Sequence, residues 1–322
     1  MTTSLQLIDI HKFYEDKAMY EIIFNPGSRG HRGISVWNTV KKILDEKDIE
    51  YLLYKTTHAG HAEELVHEIT SDNKPHTFII IGGDGTVNEV LNGIITPTLI
   101  TIGLIPAGSG NDFARALKLP LDPEQALNLI LECNQTTAMH YGETHLVNTY
   151  RRFLISCGCG FDSDVCCDVQ TSRLKLLLNK IGMGKLIYTL IALKKLIRKS
   201  VFSATIKLDD DYVLSIDNIF FVVAMNTKFE GGGYMFCPDA DPTSDKLDFL
   251  TANNLSRCKL LYLIPKSKHG KHCGHSGVSI TPVNKISLHF SKAVNLHTDG
   301  EVYGKCDYVT INCSKDYINF LV

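Results

Sequence analysis

Apolar positions along the chain switch between two periods. Tyr20-Glu-Ile-Ile-Phe24 is rich in residues that favour extended backbone and predicts a strand. From Ser35 to Glu46, Val36, Trp37, Val40, Ile43 and Leu44 recur at helical spacing. The alternation continues with a strand predicted over Ile49–Tyr54, a helix over Ala62–Ile69 and a strand over Thr77–Ile81. A helix over Val87–Ile95 and a strand over Leu99–Ile105 come next. Two more helices are predicted, the second opened by Asp122-Pro-Glu-Gln125, an N-cap followed by a first-turn proline and a capping-box glutamine. Strands alternating with helices predict a parallel, doubly wound α/β sheet. Phe78-Ile-Ile-Ile81 is apolar at every position, which suits a central strand covered on both faces.

Near residue 140 the pattern changes to short β-rich runs at Phe153–Cys157, Ala204–Leu208, Ile219–Ala224, Leu247–Thr251, Lys285–Phe290 and Tyr308–Cys313. One helical stretch, Arg173 to Lys199, interrupts them. The expected organisation is a leader (1–18), a doubly wound α/β domain (19–140) and a mainly antiparallel β domain (141–312). A tail (313–322) is expected to return to the first domain. A length of 322 residues suits two domains, and 44% apolar against 21% charged residues suits a packed core. The net charge of −2 gives no electrostatic case for nucleic acid. The ten cysteines include no Cys-x-x-Cys pair, which predicts reduced thiols in a cytoplasmic protein. The opening residues lack a basic region followed by an apolar run, so no signal peptide is expected. No uncharged apolar run reaches the roughly 18 residues of a membrane span.

Three glycine-rich segments follow predicted parallel strands: Asn25-Pro-Gly-Ser-Arg-Gly30, Gly82-Gly-Asp-Gly-Thr86 and Pro106-Ala-Gly-Ser-Gly-Asn-Asp112. In an open α/β sheet, ligands bind beyond the carboxyl ends of the strands. Glycines there let a phosphate approach the backbone, and the next helix offers unpaired amides to it. Asp84 beside a phosphate is repulsive unless a cation or water intervenes, which points to Mg²⁺. A plain turn is the competing reading of Gly82–Thr86. A P-loop is excluded, because no Gly-Lys pair is followed by Ser or Thr. Gly108-Ser-Gly110 and Gly158-Cys-Gly160 lack the third glycine of a dinucleotide fingerprint, and the protein-kinase signature is missing.

Gly82-Gly-Asp-Gly-Thr-Val-Asn-Glu-Val90 resembles the bacterial diacylglycerol kinase family, which shares its nucleotide fold with NAD kinases. Ile105-Pro-Ala-Gly-Ser-Gly-Asn-Asp-Phe-Ala-Arg115 is similar to the lipid-kinase branch in particular. Further similarity lies in Gly160–Val165, Gly231–Ala240, Gly270-Lys-His272 and Thr298-Asp-Gly-Glu301. The resemblance implies an ATP- and Mg²⁺-dependent kinase that phosphorylates a lipid hydroxyl, with diacylglycerol the expected substrate, residues 19–140 as the nucleotide-binding domain and residues 141–312 as a β-sandwich-like domain for the lipid. It places ATP against Asn25, Pro26, Gly27, Ser28, Arg29, Thr56, Gly82, Gly83, Asp84, Gly85, Thr86, Val87, Asn88 and Ser109. Asp112 and Asp84 would join the Mg²⁺ network, and Glu301 would be the general base. On residue chemistry alone, Asp299-Gly-Glu301 reads first as a hairpin turn. Two alternatives stand beside this one: a kinase of a soluble substrate such as NAD, and a nucleotide-binding protein without turnover.

Two positions depart from the family pattern. A structural metal loop would use Asp241, Ser244 and Lys246, but Ser244 stands where an aspartate is usual, with Asp245 as its possible substitute. His140 also replaces a usual aspartate. His269, His272, Cys273 and His275 crowd together but lack the second ligand pair of a structural zinc site. Between Val169 and Leu208 there is no acidic residue, and basic and apolar residues interleave. That pattern fits either a packed helix or peripheral contact with the inner face of a membrane. A homodimer is a further expectation, although the sequence does not fix the oligomeric state.

Overall fold

The computed structural model describes residues 20–30, 32–146, 149–171, 184–198, 200–209 and 212–322, so the expected leader lies outside the described residues. The first sheet is built on parallel strands β1 (Tyr20–Phe24), β2 (Tyr51–Lys55), β3 (His76–Gly82) and β4 (Ile100–Pro106). The short strands β5 (Thr137–Met139) and β17 (Ile318–Phe320) complete it in the order β2-β1-β3-β4-β17-β5. β17 runs parallel to β4 and antiparallel to β5, so the end of the chain is built into the first sheet. Phe78, Ile79, Ile80 and Ile81 are all fully buried, as an all-apolar central strand requires.

Helices α1 (Arg32–Glu46), α2 (His61–Ile69), α3 (Asp84–Gly93), α4 (Asp112–Ala116) and α5 (Pro123–Glu132) connect these strands. Side chains of alternating parity along β3 feed two separate apolar clusters, one with α2 and α3 and the other with α1 and α5. The sheet is thus covered on both faces. The predicted N-cap of α5 is present: the Asp122 carboxylate accepts from the Gln125 amide at 3.0 Å, and Pro123 sits at the start. α3 begins at Asp84 rather than at Val87, which brings the aspartate into the first helical turn.

The second sheet has nine strands and is antiparallel throughout. Its members are β6 (Gly142–His145), β7 (Tyr150–Phe153), β8 (Ser156–Gly160), β9 (Phe202–Leu208), β10 (Tyr212–Met225), β13 (Leu247–Asn253), β14 (Val278–Val283), β15 (Lys285–Thr298) and β16 (Glu301–Cys313). β11 (Phe229–Glu230) and β12 (Tyr234–Met235) form a separate small hairpin.

One expected strand is corrected in this domain, and two helices are added. The run Phe153–Cys157 is no single strand: it breaks at Leu154 and Ile155, between β7 and β8, where the amides turn toward a carboxylate. The helical stretch expected over Arg173–Lys199 is represented by α7 (Gly184–Arg198), its first part lying outside the described residues. An additional helix, α6 (Phe161–Thr171), precedes it. Helix α8 (Arg257–Ser267) was not expected; Ser256 caps it by accepting from the Lys259 amide at 3.2 Å.

Candidate active site

The three glycine-rich loops meet at the carboxyl ends of β1, β3 and β4. Gly83 and Gly108 touch backbone to backbone: a Cβ on Gly83 would lie 2.7 Å from the Gly108 Cα. The Ala107 amide donates to the Gly82 carbonyl at 2.7 Å, and the Asn25 side-chain amide donates to Thr86 Oγ1 at 2.9 Å. Asn25 Oδ1 in turn accepts from the Gly27 amide at 3.0 Å, shaping the first loop. Thr56 and Ser28 are buried beside it, and Ser109 is exposed. α3 opens on Gly83 with no side-chain cap, so its first amides are not claimed by a capping residue. An anion at that point meets both the amides and the positive end of the helix dipole.

Two of the expected phosphate contacts are turned elsewhere. Val87 packs in the apolar core, and its amide donates to the Gly83 carbonyl. Asn88 sends its side-chain amide to Asp299 at 2.8 Å and to the Arg152 carbonyl at 3.2 Å.

Asp84 and Asp112 converge. Asp84 accepts from the Asp112 and Phe113 amides at 3.1 and 3.2 Å, capping α4 from another loop. Burial, followed by the nearby Asp112 charge, pushes the Asp84 carboxyl up to about 6. Asp112 pairs with Arg115 and accepts from the Gly232 amide at 2.6 Å, drawing the second domain's 231–233 loop onto the first. A Cβ on Gly110 would meet both carboxylates, at 2.9 Å from Asp84 Oδ2 and 3.5 Å from Asp112 Oδ2. The two acids thus close in on the Gly110 backbone from one side.

Across from this bend stands the tip of the β15–β16 hairpin. Asp299 and Gly300 take φ values of 50° and 87°, the geometry of a tight two-residue turn, and pair Thr298 with Glu301. Glu301 Oε1 lies 3.7 Å from where a Cβ on Gly85 would sit, so the acid reaches the glycine bend directly. Asp299 fastens the tip: it accepts from Asn88 Nδ2 and from the Leu154, Ile155 and Ser156 amides, all at 2.8–3.0 Å. Burial pushes the Asp299 carboxyl up while these donors pull it down. The hairpin reading of Asp299-Gly-Glu301 and the placement of Glu301 at the cleft therefore hold together.

Other residues at this junction carried no signal in the sequence. Arg151 makes a two-pronged ion pair with Glu63 of α2 at 2.7 and 2.9 Å and lies over the Tyr303 ring. Arg152 donates to the Leu91 and Ile94 carbonyls, covering the negative end of α3. Both are arginines in an ordinary-looking strand, and the Glu63, Leu91 and Ile94 partners lie in the other domain.

The expected metal loop is occupied with its own hydrogen bonds. Asp241 Oδ1 accepts from the amide and hydroxyl of Thr243, and the Asp241 carbonyl accepts from the Ser244 amide. Ser244 Oγ accepts from the Lys246 amide at 3.2 Å. His140 faces the chain end, with Nδ1 3.0 and 3.2 Å from the Ser314 and Asp316 carbonyls. His272 is buried and bonded to the Phe236 carbonyl at 2.9 Å. Among the described residues, Asp162, Glu230 and His297 bring three side-chain donors together at metal-ligand spacing.

Comparisons with known proteins agree with this architecture. Residues 20–143 match the diacylglycerol kinase catalytic domain, and residues 156–320 match the YegS C-terminal NAD kinase beta sandwich-like domain. A Bacillus subtilis protein named as a candidate lipid kinase is 29% identical over 88% of this chain and 93% of its own length. The diacylglycerol kinase of Mycobacterium tuberculosis is 30% identical over 84% of this chain and 80% of its own. Among solved structures, a diacylglycerol kinase from Bacillus anthracis superposes with a TM-score of 0.67 at 18% identity, covering 94% of this chain and 96% of that one. An NAD kinase from Archaeoglobus fulgidus in complex with ATP gives 0.52 at 14% identity, covering 94% of each chain. Two domains in family order, with relatives matching across both, settle the assignment: the chain belongs to the diacylglycerol kinase family.

Proposed function

We propose that the cleft transfers the γ-phosphoryl group of ATP to the hydroxyl of diacylglycerol. The observation that carries this is the approach of Glu301 Oε1 to the Gly85 backbone. It sets a proton acceptor opposite the bend that presents the amides of α3 to phosphate. The lipid oxygen attacks the γ-phosphorus, its proton passes to Glu301, and the bond to ADP breaks. In a loose transition state, positioning and charge neutralisation matter more than the strength of the base. Asp84 and Asp112 are the residues suited to Mg²⁺. Their convergence and the raised Asp84 pKa mark a place where a cation would relieve repulsion. Because their oxygens already accept amides and Arg115, they fit a cation held through water. Such an ion, when bound, neutralises phosphate charge.

The reading is tested by transfer of labelled γ-phosphate to diacylglycerol in mixed micelles, comparing wild type with Glu301→Ala. The expected fall in kcat is about a hundredfold or more, the usual worth of a general base. Equal product from both proteins removes Glu301 from this role, and labelling of NAD without any lipid favours a soluble substrate.

A lipid substrate requires the cleft to reach a bilayer, and the outer faces of α7 and α8 suit that contact. Among the described residues, no helix is long and apolar enough to cross a membrane. α7 and α8 share one apolar cluster through Leu196, Leu260 and Leu263. They expose Ile197 (64%), Leu193 (47%), Leu261 (51%) and Tyr262 (54%) beside Lys194, Arg198, Arg257 and Lys268. No acidic residue occurs between Asp248 and Asp299. Each basic residue near anionic lipid contributes about 1 kcal/mol. Co-sedimentation with phosphatidylglycerol vesicles is expected, reduced several-fold in a Leu261→Ser/Tyr262→Ser variant. Binding that is unchanged in that variant moves the contact elsewhere.

A further inference from the structure

Behind the Glu301 turn, three side chains from distant parts of the chain meet in the protein interior. They are Asp162 at the start of α6, Glu230 of β11 and His297 near the end of β15. His297 is fully buried. Its Nε2 lies 3.1 Å from Asp162 Oδ2 and 3.2 Å from Glu230 Oε1. Its other nitrogen, Nδ1, accepts a hydrogen bond from the Gly300 amide at 3.2 Å. Gly158 makes room for the group, since a Cβ there would lie 2.6 Å from His297 Nε2.

Two chemistries compete for such a cluster. A cation bound at Nε2 needs the lone pair of that nitrogen, so a neutral ring would carry its proton on Nδ1. That proton would point at the Gly300 N–H, donor against donor. A ring carrying its proton on Nε2 satisfies every contact: Nε2–H donates toward the two carboxylates, and the Nδ1 lone pair receives Gly300. The same contact opposes a doubly protonated ring, even though both carboxylates draw protons toward it against the effect of burial. Two carboxylates then share one N–H. Burial pushes Glu230 up to about 7 and the two carboxylates, against burial, push His297 up to about 9, so it is the Gly300 contact, which needs a bare Nδ1, that sets the ring neutral.

We propose that His297 is a positioning residue for Glu301: its neutral ring, held by Asp162 and Glu230, grips the Gly300 amide and so sets the turn that carries the base. The inference rests on the reading of Glu301 as the general base. Gly300 lies one residue before Glu301, so its amide direction fixes where the acid strand begins. Asp299 holds one side of the turn through four donors, and His297 holds the other through one acceptor.

The two ring nitrogens can be tested separately, because asparagine places an oxygen near the Nδ1 position and glutamine places an amide near Nε2. His297→Asn keeps an acceptor for Gly300 and is expected to retain kcat within about threefold of wild type. His297→Gln keeps the donor to the carboxylates and is expected to lose kcat tenfold or more, with KM for ATP unchanged. The loss should disappear when Glu301 is already Gln, because the two residues act on one step. Equal losses in both variants, or a loss expressed in KM for ATP, overturn the proposal. The wild-type protein supplies a measurement independent of folding in the variants: long-range ¹⁵N–¹H correlation of the buried ring at neutral pH. A proton on Nε2 and a bare Nδ1 are expected; a proton on Nδ1 overturns the assignment. A stoichiometric zinc ion retained by wild type and lost in Asp162→Asn would overturn it in favour of a metal site. Full activity of Glu301→Gln alone would refute the base reading while leaving the ring tautomer to be judged separately.

Discussion

A carboxylate with four donors around it cannot be replaced by its own amide without a clash. In Asp299→Asn one oxygen becomes an NH₂ group, and whichever way it turns it meets two donors, either Asn88 and Leu154 or Ile155 and Ser156. Leaving buried donors unpaired costs about 1–3 kcal/mol each. The expected result is a lower urea midpoint and at least a tenfold lower kcat, with ATP binding retained because the glycine loops are untouched. A variant with the wild-type midpoint and kcat would show that the turn holds itself. At this scale the sequence was partly legible. Asp-Gly reads correctly as a tight turn, because that chemistry is local. The receptor around Asp299 does not, because its donors lie 143 to 211 residues away. Glu230 and His297 were silent for the same reason, each being an ordinary residue until the second domain folds, and Asp162 stood in a family-like stretch with no role to read.

The elements show the same division between local and distant causes. Phe78–Ile81 announces a buried strand because burial on both faces is written into four consecutive apolar residues. Phe153–Cys157 misleads because its apolar side chains obey strand chemistry while its backbone serves Asp299. α8 escaped notice because Pro265 and a weakly patterned Lys-Leu-Leu-Tyr-Leu-Ile run obscure helical spacing, although Ser256 is a proper cap. Between adjacent strands β1 and β3, His76 bridges Glu21 at 2.8 Å and Asp72, just before β3, at 2.9 Å. Both partners are acceptors, so the arrangement favours the doubly protonated ring. Burial opposes that charge, but Asp72 and Glu21 outweigh it, and the His76 pKa is raised. A raised folded-state pKa gives stability that is fully present below the unfolded value of about 6.5. That stability is lost as pH rises through the folded value. Urea midpoints are therefore expected to fall from pH 6.5 upward in wild type, with this part of the slope missing in His76→Gln. Parallel curves for the two proteins would exclude the bridge as the source.

At the scale of the whole molecule, the two family domains are not two independent folding units. β17 lies between β4 and β5, so the first sheet has a gap until the last residues of the chain arrive. Ile318 and Phe320 are almost wholly buried, and Leu321 nearly so. Fully burying one such side chain is worth about 1.5–3 kcal/mol, and a domain holds only about 5–15 kcal/mol in total. Removing three of them, together with the backbone pairing on both sides, would take a large share of that margin. The cleft depends on the same closure. The chain leaves the first sheet at β5, builds the hairpin that carries Glu301, and returns at β17, so both crossings hold the acid opposite Gly85. Arg151 with Glu63, and Asp112 with the Gly232 amide, then clamp the two halves. A fragment of residues 20–143, the extent of the catalytic-domain match, is expected to lack a cooperative thermal transition and to bind hydrophobic dye. Adding a synthetic peptide spanning 314–322 should recover part of the transition, because it restores the missing strand. A fragment that melts as sharply and as high as the full chain would show that β17 merely decorates the sheet, and the hairpin's position would then need another anchor.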